Sequence, residues 1–91
     1  MSFSITIIAK DKEAAKADFR VRFEEQVVKV QPSHAHDREA VFATVDTYVD
    51  LLVDDPTQRV SLAVHGSLSW RDEGVYLGAS VGVSAWWVPV V

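Results

Sequence analysis

Cysteine is absent from this chain, and basic residues are few. Without cysteine there is no disulfide bridge, no thiolate metal site and no cysteine nucleophile, and nothing favours an oxidising compartment. The 9 Lys and Arg residues are outnumbered by 13 Asp and Glu residues, so the formal net charge is −4. Because proteins bind nucleic-acid backbones mainly through cations that neutralise phosphates, this balance argues against direct binding of DNA or RNA.

Long apolar runs are also lacking, since no stretch approaches the roughly 18 residues of a membrane span. The opening Met-Ser-Phe-Ser carries no positive charge ahead of the first apolar residues, so a signal peptide is not predicted. We therefore expect a cytoplasmic protein with no membrane partner. The 91 residues, 48% of them hydrophobic, are enough for one domain with a core, spanning residues 1–91.

Signatures of catalysis are equally sparse. No glycine-rich phosphate loop is present, and His65 with Ser67 or Ser80 has no evident orienting carboxylate. His34, His36 and Asp37 form the one cluster with metal-ligand chemistry, yet no further histidine lies near them in the sequence. We expect no enzymatic activity, no metal and no cofactor. A small hydrolase or metal protein built around this cluster is the weakest of three alternatives.

Three strands and two helices can be assigned by periodicity. Phe3 to Ala9 alternates and is rich in β-branched residues, which predicts a strand. Asp11 is placed to cap a helix from Lys12 to about Val30, which Pro32 would end. Part of this range also alternates as a strand would. The stripe of apolar residues at helical spacing is longer, however, and it comprises Ala15, Phe19, Phe23, Val27 and Val30.

Ser33 or Asp37 is predicted to cap a second helix, which runs to about Val53 and has Glu39 in its first turn. Asp54-Asp55-Pro56 would close it, and Thr57-Gln58-Arg59 would lead into the next strand. Its apolar stripe comprises Val41, Val45, Tyr48, Val49 and Leu52.

The C-terminal third predicts an antiparallel hairpin, Val60 to Trp70 with Val75 to Trp87, joined by Arg71-Asp72-Glu73-Gly74. Pairing Trp70 with Val75 places apolar residues opposite apolar ones, so that Val64 faces Val81 and Leu62 faces Val83. A slip by one residue would mix the two faces, which is the argument for this register.

The predicted element order is β-α-α-β-β, an α+β fold. Both helical stripes and one sheet face must be buried, and the simplest arrangement is a two-layer sandwich with the helix pair on one face of a three-stranded sheet. The pattern leaves open which hairpin strand the first strand joins. The predicted core comprises Phe3, Ile5, Ile7, Phe19, Phe23, Val27, Val41, Val45, Leu52, Leu62, Val64, Leu68, Leu77, Val81 and Val83.

The other face of the sheet carries small, uncharged side chains, and we call it the small-residue face. Glycine in a strand often marks close approach of another backbone, and Tyr76 and Trp86 are of the types enriched at interface hot spots. The apolar end from Trp86 to Val91 would either extend the last strand or dock on a neighbour. The face comprises Ser4, Thr6, Ile8, Ser61, Ala63, His65, Ser67, Ser69, Tyr76, Gly78, Ser80, Gly82, Ser84 and Trp86.

A second candidate surface is the acidic ridge, formed by Asp46, Asp50 and Asp54 at four-residue spacing on the second helix. Like charges at this spacing destabilise a helix, and they run toward the end where the helix dipole disfavours them. Compensation is expected from Arg20, Arg22 or Lys29, or from a basic partner protein.

The segments His65-Gly66-Ser67-Leu68-Ser69-Trp70 and Gly78-Ala79-Ser80-Val81-Gly82-Val83-Ser84-Ala85-Trp86, after a helix pair, resemble small uncharacterised proteins encoded by tailed phages and prophages. The resemblance spans most of the chain. It implies an accessory protein made in the cytoplasm of a bacterial host. It assigns no catalytic or binding residue.

These observations predict a small non-enzymatic protein-interaction factor, such as a phage accessory protein or an inhibitor of a host protein. It would form a homo-oligomer or dock a host protein. The predicted partner-binding residues are Ser67, Tyr76, Ser80, Ser84, Trp86, Asp46, Asp50 and Asp54. The alternative is a nucleic-acid-associated module in which Tyr76, Trp86 and His65 stack on bases.

Overall fold

The computed structural model describes residues 2–70 and 76–89, and the side chains of this range except those at positions 33, 68–70 and 76–79. The predicted α+β order is confirmed. The strands are β1 (Ser2–Ala9), β2 (Gln58–Trp70) and β3 (Tyr76–Pro89). The helices are α1 (Lys12–Phe23), continued by a π turn (Glu24–Val28), and α2 (Arg38–Asp50), preceded by a 3-10 turn (Pro32–Asp37).

The three strands form one antiparallel sheet in the order β1-β2-β3, which settles the open position of the first strand beside β2. The helices cover one face: α1 packs mainly on β1, and α2 packs mainly on β3. No helix in residues 2–70 and 76–89 combines the length and apolar character needed to cross a membrane.

The predicted hairpin register is wrong by two residues. The structure pairs Val64 with Val83 and Leu62 with Ala85, and a register shift falls between Ser69 and Trp70. A strand repeats every two residues, so a two-residue displacement leaves each side chain on its predicted face. Alternation therefore predicts the faces, and it cannot distinguish registers that differ by an even number. The connecting residues 71–75, including Val75, lie outside the described residues.

Helix α1 begins as predicted, since the Asp11 carboxylate accepts a hydrogen bond of 2.8 Å from the backbone N–H of Ala14. Its apolar residues are four apart, a spacing that runs ahead of the 3.6-residue helical repeat. In the π turn the N–H of Lys29 bonds to the carbonyl of Glu24, five residues earlier. This wider turn holds more residues and keeps Val27 on the buried side. Val30, predicted in the stripe, is 69% exposed.

Helix α2 differs from its prediction at both ends. Asp37 stands before the first helical residue, but its backbone is already helical and its side chain caps nothing. Its carboxylate instead contacts the His34 ring. The side chain of Ser33, the alternative cap, lies outside the described residues. The helix ends at Asp50 rather than near Val53, and the N–H of Leu52 reaches back three residues to Val49 in a tightened last turn.

The core lies between the helix pair and the sheet, and at its centre four phenylalanine rings meet. Phe23 contacts Phe3, Phe19 and Phe42, with centroid distances of 5.7, 6.0 and 5.5 Å. Tyr48, predicted in the α2 stripe, is 48% exposed, because Val49 occupies the buried position beside it.

Most of the predicted core is confirmed. Buried as predicted are Phe3, Ile5, Ile7, Phe19, Phe23, Val27, Val41, Val45, Leu62 and Val64. Partly buried against them are Leu52, Val81 and Val83. To the predicted core the structure adds Ala9 and Val60, together with Ala15 and Val49 from the predicted helical stripes. The side chains of Leu68 and Leu77 lie outside the described residues.

Candidate functional site

Strand pairing arranges the small-residue face in rows that cross all three strands. No Asp, Glu, Lys or Arg stands in these rows. From one end to the other, the rows are Ile8–Ser61–Trp86, Thr6–Ala63–Ser84, Ser4–His65–Gly82 and Ser2–Ser67–Ser80.

The first row is the apolar end of the face. Ile8 is 62% exposed and Trp86 is 46% exposed, while Ser61 between them is only 5% exposed. Two large apolar side chains on the two edge strands thus flank a buried serine on the central strand. Burying the exposed parts of Ile8 and Trp86 against a partner would be favourable, at roughly 25 cal/mol per Å² of apolar surface.

The third row is the polar centre of the face. The Ser4 hydroxyl and His65 Nδ1 are 3.2 Å apart and hydrogen-bond across the β1–β2 pair. Beside them Gly82 is exposed, and a Cβ placed there would meet no atom within 4 Å. The centre is therefore an open floor on which another backbone could approach closely.

The acidic ridge on α2 is paired within the chain, across the helix pair. Lys12 contacts Asp54 at 3.0 Å, Lys16 contacts Asp50 at 2.6 Å and Arg20 contacts Asp46 at 2.8 Å. The expected compensation by Arg20 is confirmed. Neither Arg22 nor Lys29 takes part, and Lys12 and Lys16 supply the other two cations. The hydrogen bond to Asp50 raises the pKa of Lys16.

We call these three ion pairs, together with the Glu24–Arg38 pair that follows them, the charge ladder. In the first three pairs the cation lies on α1, whereas in the fourth it lies on α2. Glu24 in the π turn pairs with Arg38 at the start of α2 through two hydrogen bonds, one of them 2.8 Å from Nη2 to Oε2. This contact raises the pKa of Arg38. Between the two ends, the Arg20 guanidinium lies 5.3 Å from the centroid of the Phe42 ring. The ladder joins the helices along their length.

The histidine cluster braces the turn between the helices. His34 is 1% exposed and Asp37 is 4% exposed, and the His34 Nδ1 lies 3.2 Å from the Asp37 carboxylate. Its Nε2 lies 3.1 Å from the side-chain oxygen of Gln31. His36 is exposed. Among the described residues no group of three or more His, Asp or Glu side chains is placed to hold a metal ion.

One open groove lies at the end of the sheet, between the start of α1 and the turn that follows α2. Most of its charged groups are already engaged: Asp11 caps α1, and Lys12 pairs with Asp54. The groove is lined by Lys10, Asp11, Lys12, Glu13, Asp54, Asp55, Pro56 and Trp87.

Asp55 closes the turn into β2. Its carboxylate accepts hydrogen bonds from the Thr57 hydroxyl at 2.6 Å, the Gln58 amide at 2.6 Å and the Thr57 N–H at 3.0 Å. These bonds, led by that from the Thr57 hydroxyl, lower the pKa of Asp55. The charged carboxylate is therefore the form that the folded turn favours.

Asp55→Asn tests this turn through its pH dependence. The Asp55 contribution to stability is complete above the unfolded pKa, about 3.9, and is lost as the pH falls through the lower folded pKa. We therefore expect wild type to exceed Asp55→Asn in free energy of unfolding near pH 7, and the difference to shrink in acid. Urea unfolding across this pH range measures it. Glu25→Gln, at an exposed carboxylate that forms no ion pair with a described residue, is the control. A difference that stays constant in acid would contradict the assignment.

The predicted site residues fall on two layers of the molecule. Ser67, Ser80, Ser84 and Trp86 share the small-residue face, whereas Asp46, Asp50 and Asp54 lie on the helical layer. The side chain of Tyr76 lies outside the described residues. Ser2 also belongs to the face, and extending the alternation by one residue would have included it. No family model, no curated protein and no solved structure matches this chain.

Proposed function

We propose that this chain is a small, non-enzymatic interaction protein whose small-residue face docks a partner protein. The observation that carries the proposal is the absence of Asp, Glu, Lys and Arg from its four rows, in a chain with 13 acidic and 9 basic residues. On the opposite, helical layer, three ion pairs join the two helices. The four rows are thus left without charge, and the first charged residue along this face is the exposed Arg59, which pairs with Val88 in the row beyond Ser61.

Covering such a face removes no ion from water, so binding avoids the penalty of burying unpaired charges. Trp86 and Ile8 offer apolar area at one end, and tryptophan is enriched among residues that dominate binding energy. The hydroxyl groups of the remaining rows can hydrogen-bond a partner. A protein surface of mixed apolar and polar character fits this chemistry.

The resemblance to small phage and prophage proteins narrows the proposal to an accessory factor or an inhibitor of a host protein in the bacterial cytoplasm. The nucleic-acid alternative stays a prediction without support in the four rows, because they hold no cation to neutralise phosphates. Docking on the acidic ridge also stays a prediction, and each of its carboxylates already has a cation within the chain.

Ser84→Lys tests the face by placing one charge in its second row. Ser84 is exposed, so the variant should fold, and a partner seated there would have to bury an unpaired ammonium. We expect at least tenfold less partner protein retained from a lysate of the native host, measured by quantitative mass spectrometry on immobilised protein.

Ala43→Lys is the matched control, because it adds the same charge at an exposed position of α2 on the opposite layer. It should retain the same proteins as wild type. Thermal unfolding verifies that both variants are folded. Equal retention by Ser84→Lys and Ala43→Lys would show that the working surface is elsewhere.

A further inference from the structure

The outer edge of β1 is open. β1 pairs with β2 over all eight residues without irregularity, and among the described residues no further backbone hydrogen bond involves it. Proteins usually protect such an edge with charge, proline or a bulge, yet Ser2–Ala9 contains none of these. The opposite edge, β3, carries Pro89, glycines and a register shift. β1 is thus the edge suited to accept another strand.

The side of α1 beside this edge has unpaired charges of both signs. Asp18 and Arg22 lie two residues from the ladder residues Lys16 and Arg20, about 200° around the helix, and so face away from α2. Both are exposed, and neither forms an ion pair with a described residue. A two-fold axis would bring Asp18 of each copy to Arg22 of the other, because such interfaces are self-complementary.

The position of that axis can be estimated from α1. The contact between Phe3 and Phe23 aligns α1 with β1. Residue 20, midway between Asp18 and Arg22, lies about 4.5 Å from Phe23 along the helix. The same distance from Phe3 toward Ala9 is about 1.3 residues of a strand and ends near Ser4. An axis at Ser4 sets Ser4 opposite itself and Ser2 opposite Thr6 of the other copy, with each face preserved.

The spacing of the helices also fits. Helix α1 contacts β2 as well as β1, so its axis lies inward of the edge. Strands are about 4.8 Å apart. Two α1 helices, each centred between its own β1 and β2, would then be separated by about 10 Å, the upper end of the range for packed helices. The two helices would meet without overlap, with the exposed Val21 on the same side.

We propose that a second copy of this chain adds its β1 antiparallel to β1, with the two-fold axis at Ser4. The dimer has a continuous six-stranded sheet and two Asp18–Arg22 ion pairs across its axis. The four rows of each small-residue face join into one surface and stay uncovered. The dimer therefore goes beyond the proposed function and does not depend on it.

Charge reversal at the helix flank tests the dimer. Asp18→Arg and Arg22→Asp each place like charges opposite one another in both of the contacts across the axis. We therefore expect at least tenfold weaker self-association, measured by sedimentation equilibrium at low salt. The double variant D18R/R22D restores opposite charges and should restore the dimer. Glu39→Arg, an equal charge change at an exposed position of α2, should leave the dimer intact.

Disulfide trapping tests the strand register, using the absence of native cysteine. When Ser2→Cys and Thr6→Cys variants are mixed and oxidised, the mixed disulfide should exceed both homodimers, because Ser2 faces Thr6 across the axis. A monomeric wild type, a failure of D18R/R22D to recover, or no preference for the mixed disulfide would overturn the proposal. A dimer broken by Ser84→Lys but not by Asp18→Arg would instead place the copy on the small-residue face.

Discussion

Replacing Phe23 with alanine is expected to lower the free energy of unfolding by about 3–5 kcal/mol. Phe23 is fully buried and touches three other phenylalanine rings, two of them edge to face. Its loss removes the apolar area of one ring and the ring contacts of its three neighbours. The cavity would open where α1, α2 and β1 meet, so neither layer could close it by moving alone.

Such a loss is large for a domain of this size. Stabilities of about 0.05–0.15 kcal/mol per residue give about 5–14 kcal/mol for the whole chain. Urea unfolding followed by circular dichroism measures the change, and Val30→Ala is the control. Val30 is 69% exposed, so its truncation should change stability by less than about 0.5 kcal/mol. A loss from Phe23→Ala no larger than that of the control would mean that the rings do not form the centre of the core.

Gly66→Ala is expected to destabilise the protein by about 1–3 kcal/mol, although alanine is ordinarily tolerated in a strand. Gly66 pairs with Phe3 on the buried face of the sheet, and the Phe3 ring lies over it. A Cβ at position 66 would overlap that ring. The ring is wedged between Gly66 and Phe23, so it cannot move aside without disturbing the core.

Gly82→Ala is the control in the neighbouring strand. A Cβ at Gly82 meets nothing within 4 Å, so this change should be neutral or slightly stabilising, since alanine restricts the unfolded chain more than glycine does. The double variant Phe3→Leu with Gly66→Ala should cost less than the sum of the two single changes, because the smaller side chain leaves room for the methyl group. Additive losses would show that Phe3 is not the obstacle.

Periodicity predicted the elements and their buried faces well, because helices and strands bury one side at a fixed repeat. It failed where two arrangements have the same repeat. Strand alternation could not choose between hairpin registers two residues apart. The four-residue spacing from Ala15 to Val27 predicts an ordinary α-helix. In the structure a π turn is needed to keep Val27 on the buried side.

Interactions between side chains were the least predictable. Asp37 is of a residue type that commonly caps helices, yet its carboxylate contacts the buried His34, three residues earlier. Lys12 and Lys16 were missed as partners of the acidic ridge, because their pairing depends on how the two helices align. The small-residue face was predictable because the side on which each residue lies follows from strand alternation alone, whereas its rows depend on the register and were not predicted correctly across β2 and β3.

The charge ladder also bears on how the two helices find their alignment. Single exposed ion pairs contribute at most about 1 kcal/mol, so the ladder is a weak source of stability. Because the Glu24–Arg38 pair has its signs exchanged, the ladder also affects the alignment of the two helices. Sliding one helix by a turn would set Glu24 against Asp46 in one direction and Arg20 against Arg38 in the other. Similar apolar contacts could survive such a slide, but like charges would then meet, so the order of signs disfavours the misaligned helical hairpins.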